Sequence, residues 1–341
     1  MAPAVSIENL KKSYGDIEAV KDVSFAIEPG EIFGLLGPNG AGKTTTIRCL
    51  CTLASPDAGK VTVSGIDAIA NPRAVRNRLG YVAQEVALDK VLTGREMLEL
   101  QAALYHLPRK TIPERIERAI ALLGLEEFID RKTGAYSGGM RRRLDLASGL
   151  LHQPDVLVLD EPTVGLDIES RIVVWDFLQQ LRDDGTTIVL TSHYLEEIDA
   201  LADRVAIIDR GEIIAEGTPD ALKQTVGGDR VTLRIREFTP DAEVATAREV
   251  LGGLDFVSDI VVNAAQGNSL NLVVSGHDNA LLSIQEALRD RDLPTFSIAQ
   301  ARPSLDDVYL AATGKTLMDA ELAAAGTRNL KKENKQAMAG K

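Results

Sequence analysis

The sequence predicts an α/β protein: a largely parallel sheet carrying a phosphate-binding loop, preceded by antiparallel strands, interrupted by a helical insert and followed by a small α+β domain. Three observations predict it. Gly37-Pro-Asn-Gly-Ala-Gly-Lys-Thr44 satisfies G-x-x-x-x-G-K-[ST] and stands between an apolar strand and a helix-forming segment. Apolar strands then alternate with helical stretches, the pattern of a parallel sheet. Near residue 225 the pattern restarts as βαββαβ, the order of a split βαβ sandwich.

Taken in order, Val5 and Ile7, then Val23, Phe25 and Ile27, alternate with polar positions and predict short antiparallel strands. Glu31 to Leu36 is a third strand that runs into the glycine loop, and Thr44 to Leu53 has helix-forming character. Gly59 to Gly65 reads as another strand. From Pro72 to Arg131 the pattern is mainly helical and charged, with Ile116, Ile120 and Leu123 at helical spacing, so a helical insert is expected over about residues 85–135. Val156 to Asp160 is a buried-type strand, Arg171 to Arg182 a helix, Thr187 to Thr191 a strand, and Val205 to Glu216 a hairpin turning on Asp209, Arg210 and Gly211. Gly217 to Gly228 carries Pro219 and two adjacent glycines, which places the end of the first domain, residues 4–225, near this point.

The second domain, residues 228–302, reads strand (Val231, Leu233, Ile235), helix (Val244, Ala247, Leu251), strand (Phe256 to Val262), strand (Leu270, Leu272, Val274), helix (Leu281, Ile284, Leu288) and strand (Phe296, Ile298). A C-terminal motif and helix occupy 303–325. The last fourteen residues, Arg328 to Lys341, hold five basic side chains and one acidic, and are expected to be a disordered, solvated tail.

Composition narrows the function. The chain has 341 residues, room for about two domains at roughly 150 residues each. Hydrophobic residues at 45% and charged residues at 26% are the balance of a soluble globular protein. A formal net charge of -12 disfavours a broad nucleic-acid surface. Cys49 and Cys51, two residues apart in a helical stretch, can neither staple the fold nor supply four metal ligands, which fits a reducing cytosol. No charge-free run reaches the ~18 residues that a membrane span needs, and the N-terminus lacks a signal-peptide pattern. Any membrane involved is met through another chain.

Two segments carry chemistry on their residue types alone. In the glycine loop, Gly37, Pro38, Asn39, Gly40, Ala41 and Gly42 let backbone N–H groups turn inward around phosphates at a helix N-terminus. Lys43 can reach the β and γ oxygens, the Thr44 hydroxyl can hold Mg²⁺, and Thr45 is the last residue of the nucleotide-binding run. Val156-Leu-Val-Leu-Asp160-Glu161 ends an apolar strand in two carboxylates. One can hold a metal's water shell while the other polarises an attacking water. Taken alone such a pair is more often a helix cap or a solvated turn; its place downstream of a phosphate loop reverses that preference.

Tyr136-Ser-Gly-Gly-Met-Arg-Arg-Arg-Leu-Asp-Leu-Ala147 resembles the signature sequence of ABC ATPases. The other motifs of that family stand in its order: Tyr14 in an upstream aromatic loop, Gln84 after the strand at Tyr81 and Val82, Val164-Gly-Leu-Asp167 after the acidic pair, and His193 after the strand Thr187 to Thr191. The resemblance covers roughly residues 4 to 220. It implies a cassette made of an antiparallel β subdomain, a RecA-like parallel core and a helical subdomain, with ATP and Mg²⁺ bound at the glycine loop.

Each site residue takes a role from the resemblance. Tyr14 would stack on adenine. Gln84 would touch Mg²⁺ or the lytic water, and Asp160 and Thr44 would complete the metal's surroundings. Glu161 would be the catalytic base, with His193 and Lys43 on the γ-phosphate. Ser137, Gly138 and Gly139 would receive the γ-phosphate held by an opposing cassette, with Asp167 at the same interface. One phosphate loop and one signature make this chain resemble a half that pairs with its own copy or a close relative.

The fifth signature residue is usually Gln; here Met140 stands there, followed by three arginines that would otherwise be a solvated helix face. This variant resembles the daunorubicin-resistance type of drug-export ATPase subunit, and so does the distant Pro303-Ser-Leu-Asp-Asp-Val-Tyr-Leu310 with Thr313-Gly314. The subfamily implies an ATPase on the cytoplasmic face of the cell membrane. It would couple ATP binding, dimer closure and hydrolysis to export of drugs or other hydrophobic compounds by a separate transmembrane permease, with no nucleic-acid partner. The small second domain would be accessory, assisting dimer contact or regulation. A soluble ABC ATPase acting on DNA or ribosomes would show long coiled coils or two cassettes, and a phosphate-loop kinase would leave the signature unexplained.

Overall fold

A computed structural model describes residues 2–275 and 279–324. The chain divides into two compact units between Ile213 and Ile214, upstream of the boundary that the glycine pair suggests. The tail expected from residue 328 lies outside the described residues, as does residue 325.

The first sheet is built on β1 (Val5–Tyr14), β2 (Ile17–Ile27), β3 (Ile32–Leu36), β4 (Ala58–Val63), β5 (Ile66–Asp67), β6 (Leu79–Val82), β7 (Val156–Asp160), β8 (Thr187–Ser192), β9 (Arg204–Asp209) and β10 (Glu212–Gly217), the last of which crosses the division. Their order in one sheet is β5-β4-β1-β2-β10-β9-β3-β8-β7-β6. The β9-β3-β8-β7-β6 run is parallel, and β1 pairs antiparallel with β2 and β4. β3, β7 and β8 are buried at every position, which is why they read as unbroken apolar runs. β1 and β2 form a longer hairpin than the sequence suggests, turning at Gly15 (φ 59°). Register shifts after Ile7 and Leu10, with Asn9 at φ 49°, break the alternation and so conceal the strand's length.

The core joins Ile47 and Leu50 of the helix Lys43–Leu50 to Phe33, Leu35, Val158, Val189 and Ala206. The insert is helical at Gly94–Leu104, started by a Thr93/Glu96 capping box, and at Ile112–Leu123, ended by Gly124 at φ 58°. The first buries Leu98 and Ala102, the second Ile116, Ala119, Ile120 and Leu123. Residues 83–93 carry no helix, only bends, irregular backbone and an isolated bridge from Thr93 to Lys132, so the segment is less helical than its charge pattern implies. Two short helices, Leu195–Leu201 and Pro219–Thr225, were not foreseen. Thr218 caps the second through the Ala221 N–H, and Pro219 starts that helix, because Pro at its first position gives up only an N–H that has no helical partner.

In the second unit β11 (Asp229–Arg234), β12 (Val257–Asn263), β13 (Ser269–Val274) and β14 (Ser297–Ala301) pair in the order β12-β13-β11-β14, all antiparallel. Helices Asp241–Gly252 and Ala280–Arg289 bury Ala247, Leu251, Ile284 and Leu288 against Val231, Leu233, Leu270 and Leu272. The alternate positions, Arg230, Thr232, Asn263, Ser269 and Asn271, are polar and belong to the opposite face. That face meets the helix Leu305–Thr313 and the helical residues 317–324 through Arg230 Nε to Asp307 Oδ1 (2.9 Å) and Asn263 Nδ2 to Asp319 Oδ2 (2.6 Å).

Candidate active site

Backbone torsions shape the glycine loop. β3 delivers the chain to Gly37, where a Cβ would collide with the Ile208 carbonyl oxygen. Gly40 and Gly42 hold φ of 89° and 115°, left-handed values that L side chains resist. The Ala41 N–H closes the loop on Pro38 O (3.1 Å), and the Gly211 N–H braces it at Ala41 O (2.7 Å). A loop of this form ahead of the helix Lys43–Leu50 suits phosphate oxygens. Asn39 and Gly40 are exposed, while Pro38, Ala41 and Gly42 are buried and Thr45 is half-buried. Lys43 is also buried, and its Nζ donates to Gly37 O (2.6 Å) and Pro38 O (3.2 Å).

The acidic pair sits at the C-terminal ends of the central strands, where parallel sheets collect ligands. Asp160 Oδ1 accepts from Thr191 Oγ1 at 2.6 Å and from Thr44 Oγ1 at 3.4 Å. A hydroxyl of the loop helix and a carboxylate of β7 therefore share one spot. Glu161 adopts φ 50°, and its N–H donates to Thr191 O (3.1 Å) and Thr191 Oγ1 (3.0 Å). This turn aims a 6% exposed side chain at three groups. Gln84 Nε2 donates to Glu161 Oε2 at 2.7 Å, His193 Nδ1 lies 3.2 Å from Oε1, and Lys43 Nζ lies 3.8 Å from Oε1. Burial works to raise the Glu161 pKa. The hydrogen bond and charge of His193, with Lys43 and Arg142, outweigh it and leave the carboxyl below its ordinary value. A buried, ionised carboxylate beside a phosphate loop can take a proton from water.

Lys43, Thr44, Gln84, Asp160, Glu161 and His193 thus lie together. Ser137, Gly138, Gly139 and Asp167 form a second group at two helix starts. Ser137 caps the helix Gly138–Leu150, its Oγ accepting from the Met140 N–H at 3.2 Å. Asp167 caps the helix Ile168–Asp183 through the Ser170 N–H at 2.7 Å, and that bond holds its carboxyl below the ordinary aspartate value. A Cβ on Gly139 would collide with Ser170 Oγ, so the two helix starts touch. Tyr14 closes β1, 47% exposed, with the Lys12 ammonium 5.5 Å from its ring centroid.

The structure adds residues that the sequence did not single out. Thr191 holds both acidic residues, and its signal is register: parallel pairing sets Asp160 opposite Thr191. Behind the turn, Thr163 Oγ1 donates to buried Glu197 Oε1 at 2.7 Å, with Trp175 Nε1 at 3.3 Å. The three arginines are not a solvated face. Arg141 Nη1 donates to Tyr136 O (2.9 Å), Arg143 Nη1 donates to Gly124 O (3.1 Å) with its guanidinium over Phe128, and Arg142 is 3% exposed.

The chain is similar to known proteins over most of its length. A family model described as ABC transporter matches residues 20–164. A daunorubicin resistance ATP-binding protein of Streptomyces coeruleorubidus is 43% identical over 312 residues, covering 91% of this chain and 95% of the relative. A linearmycin resistance ATP-binding protein of Bacillus subtilis is 36% identical over 312 residues, covering 92% of this chain and 99% of the relative. Among solved structures, an ATP-binding subunit of an ABC transporter is similar with a TM-score of 0.61 and 27% identity, over 66% of this chain and 93% of that one. A dimeric ATP-binding cassette in a post-hydrolysis state with ADP and phosphate is similar with a TM-score of 0.58 and 27% identity, over 63% of this chain and 98% of that one.

Proposed function

The chain belongs to the ATP-binding proteins of ABC transporters and is an ATPase of that family, and from this premise we propose that it powers drug export through a separate membrane subunit. The observation that carries the mechanism is the convergence of Gln84, His193 and Lys43 on the Glu161 carboxylate. ATP would lie with its phosphates on Gly37–Thr45 and its adenine on Tyr14. Glu161 orients and partly deprotonates the attacking water, while Lys43 and His193 stabilise charge on the γ-phosphoryl group. Ser137 and Gly139 of a second cassette would meet the same phosphate, since a capped helix start favours an anion.

The donor set also fits Mg²⁺. Among the described residues no cluster of three His, Cys, Asp or Glu is present, and Mg²⁺ needs none: it is held by one or two protein oxygens together with substrate phosphates. Asp160 and Thr44, which share a hydrogen bond, with Gln84 nearby, would hold it, and it would neutralise charge on the β and γ oxygens.

No helix among the described residues is long and apolar enough to cross a membrane. As in the family it belongs to, the protein would work at the cytoplasmic face of the membrane, its helical insert passing the motion of dimer closure to the permease. Daunorubicin-like or linearmycin-like drugs are the cargo that the relatives' names favour, and a dimer is the assembly that one signature and one loop per chain call for.

Replacement of Glu161 tests this reading. Glu161→Gln should keep ATP binding, lose roughly 10²-fold or more in turnover, and accumulate an ATP-bound dimer seen by light scattering. Turnover close to that of the parent would remove Glu161 as the base. With the permease present, drug-stimulated ATP hydrolysis would support export, and its absence across hydrophobic drugs would overturn that part.

A further inference from the structure

Arg142 stands four residues inside the helix that Ser137 caps, yet its guanidinium does not serve that helix. Nε donates to Pro162 O at 2.7 Å, Nη1 to Ala83 O at 2.5 Å, and Nη2 to Asp160 O and Glu161 O at 3.2 Å each. Nη1 also lies 3.4 Å from Asp145 Oδ2, one turn along the same helix. All three nitrogens are bonded in a side chain that is 3% exposed. Four of the acceptors are main-chain carbonyls, three consecutive ones in the turn bearing Glu161 and one on the residue preceding Gln84.

That choice of acceptors matters because the turn is strained. Glu161 holds φ 50°, a left-handed value that persists only where the surroundings enforce it. Lysine, a point charge, could not bridge two separate loops; a planar fork of five N–H donors can. Burial holds the Arg142 pKa below the ordinary arginine value although Asp145, Asp160 and Glu197 all face its charge, and burial pushes the Asp145 carboxyl up to about 6 against the pull of Arg142.

We propose that Arg142 is a positioning residue that ties the Ser137–Gly139 helix start to the Glu161 turn and the Gln84 loop of the same chain. Engagement of that helix start by a nucleotide on the opposing cassette then sets the carboxylate in this chain's own site, so each cassette reports the other's nucleotide to its own base. The proposal rests on Glu161 being that base.

The experiment compares the parent dimer with Arg142→Lys, with the double variant Arg142→Met/Asp145→Ala, and with Glu161→Gln, measuring ATP affinity, kcat, KM and the Hill coefficient for ATP. The double variant removes both charges of the pair, so no unpaired buried charge remains to unfold the chain. It should bind ATP within about 3-fold of the parent, lose on the order of 10²-fold in kcat, the scale of a 1 Å misplacement, and show a Hill coefficient near one. Arg142→Lys should fall between the two. A double variant with the parent's kcat and Hill coefficient would overturn the proposal, as would ATP affinity falling in step with kcat, or failure of both Arg142 variants to fold. Glu161→Gln separates the two readings: if it turns over normally the base assignment fails, whereas if it is inert while the double variant runs normally only the role of Arg142 fails.

Discussion

Two strands of this chain, β7 and β13, are buried from end to end, and they put their polar residues in different places. Val156–Asp160 is apolar until its last residue, where Asp160 meets Thr44 and Thr191. Ser269–Val274 is polar at alternate positions, with Ser269 and Asn271 on the face that the C-terminal helices cover through Asp307 and Asp319. Polarity at the end of a buried parallel strand is a place for a ligand. Polarity along one face of an antiparallel strand is a seat for another segment of the same chain. Two buried arginines repeat the contrast: every nitrogen of Arg142 is bonded, while Arg230 Nη1 and Nη2 have no partner among the described residues. The fully bonded one holds the turn that carries Glu161.

Three replacements can break this contrast, and Asp307→Ala has the largest expected effect. It strands the 3% exposed Arg230 and should destabilise the second unit by about 3–5 kcal/mol, seen in urea unfolding. ATP turnover should stay within about 2-fold, as for an independent site; a collapse of turnover would show that the covered face also serves the nucleotide site. Thr191→Val comes next. It removes the hydroxyl shared by Asp160 and Glu161, with an expected cost of about 1–3 kcal/mol and a clear loss of kcat in steady-state assays. Unchanged turnover would mean that the strand-end hydroxyl is only structural. The smallest effect belongs to Ser269→Ala. Ser269 Oγ has no partner among the described residues, so its removal should shift unfolding by at most about 0.5 kcal/mol. A loss comparable to that of Thr191→Val would show that the face of β13 is as exacting as the end of β8.

The legibility of the chain follows the range of the interactions involved. Gly37–Thr44 declares itself because loop, helix start and phosphate chemistry are contiguous, and the run Val156–Glu161 because a doubly covered strand must be apolar. The helix Pro219–Thr225 was hidden because proline reads as a stop when it is a start. The length of β1 was hidden by its register shifts. Arg142 was hidden among three arginines that look alike in sequence, and Arg141 and Arg143 spend their guanidinium groups elsewhere.

The sequence by itself determined the family, the α/β class and the residue types at the phosphate loop, since each depends on side chains within a few positions of one another. Only the tertiary structure decided that Thr191 and Arg142 join Gln84 and His193 at one turn. Parallel pairing of β7 with β6 and β8 brings together strand ends far apart in the chain, and no local pattern records which carbonyl a distant guanidinium will find.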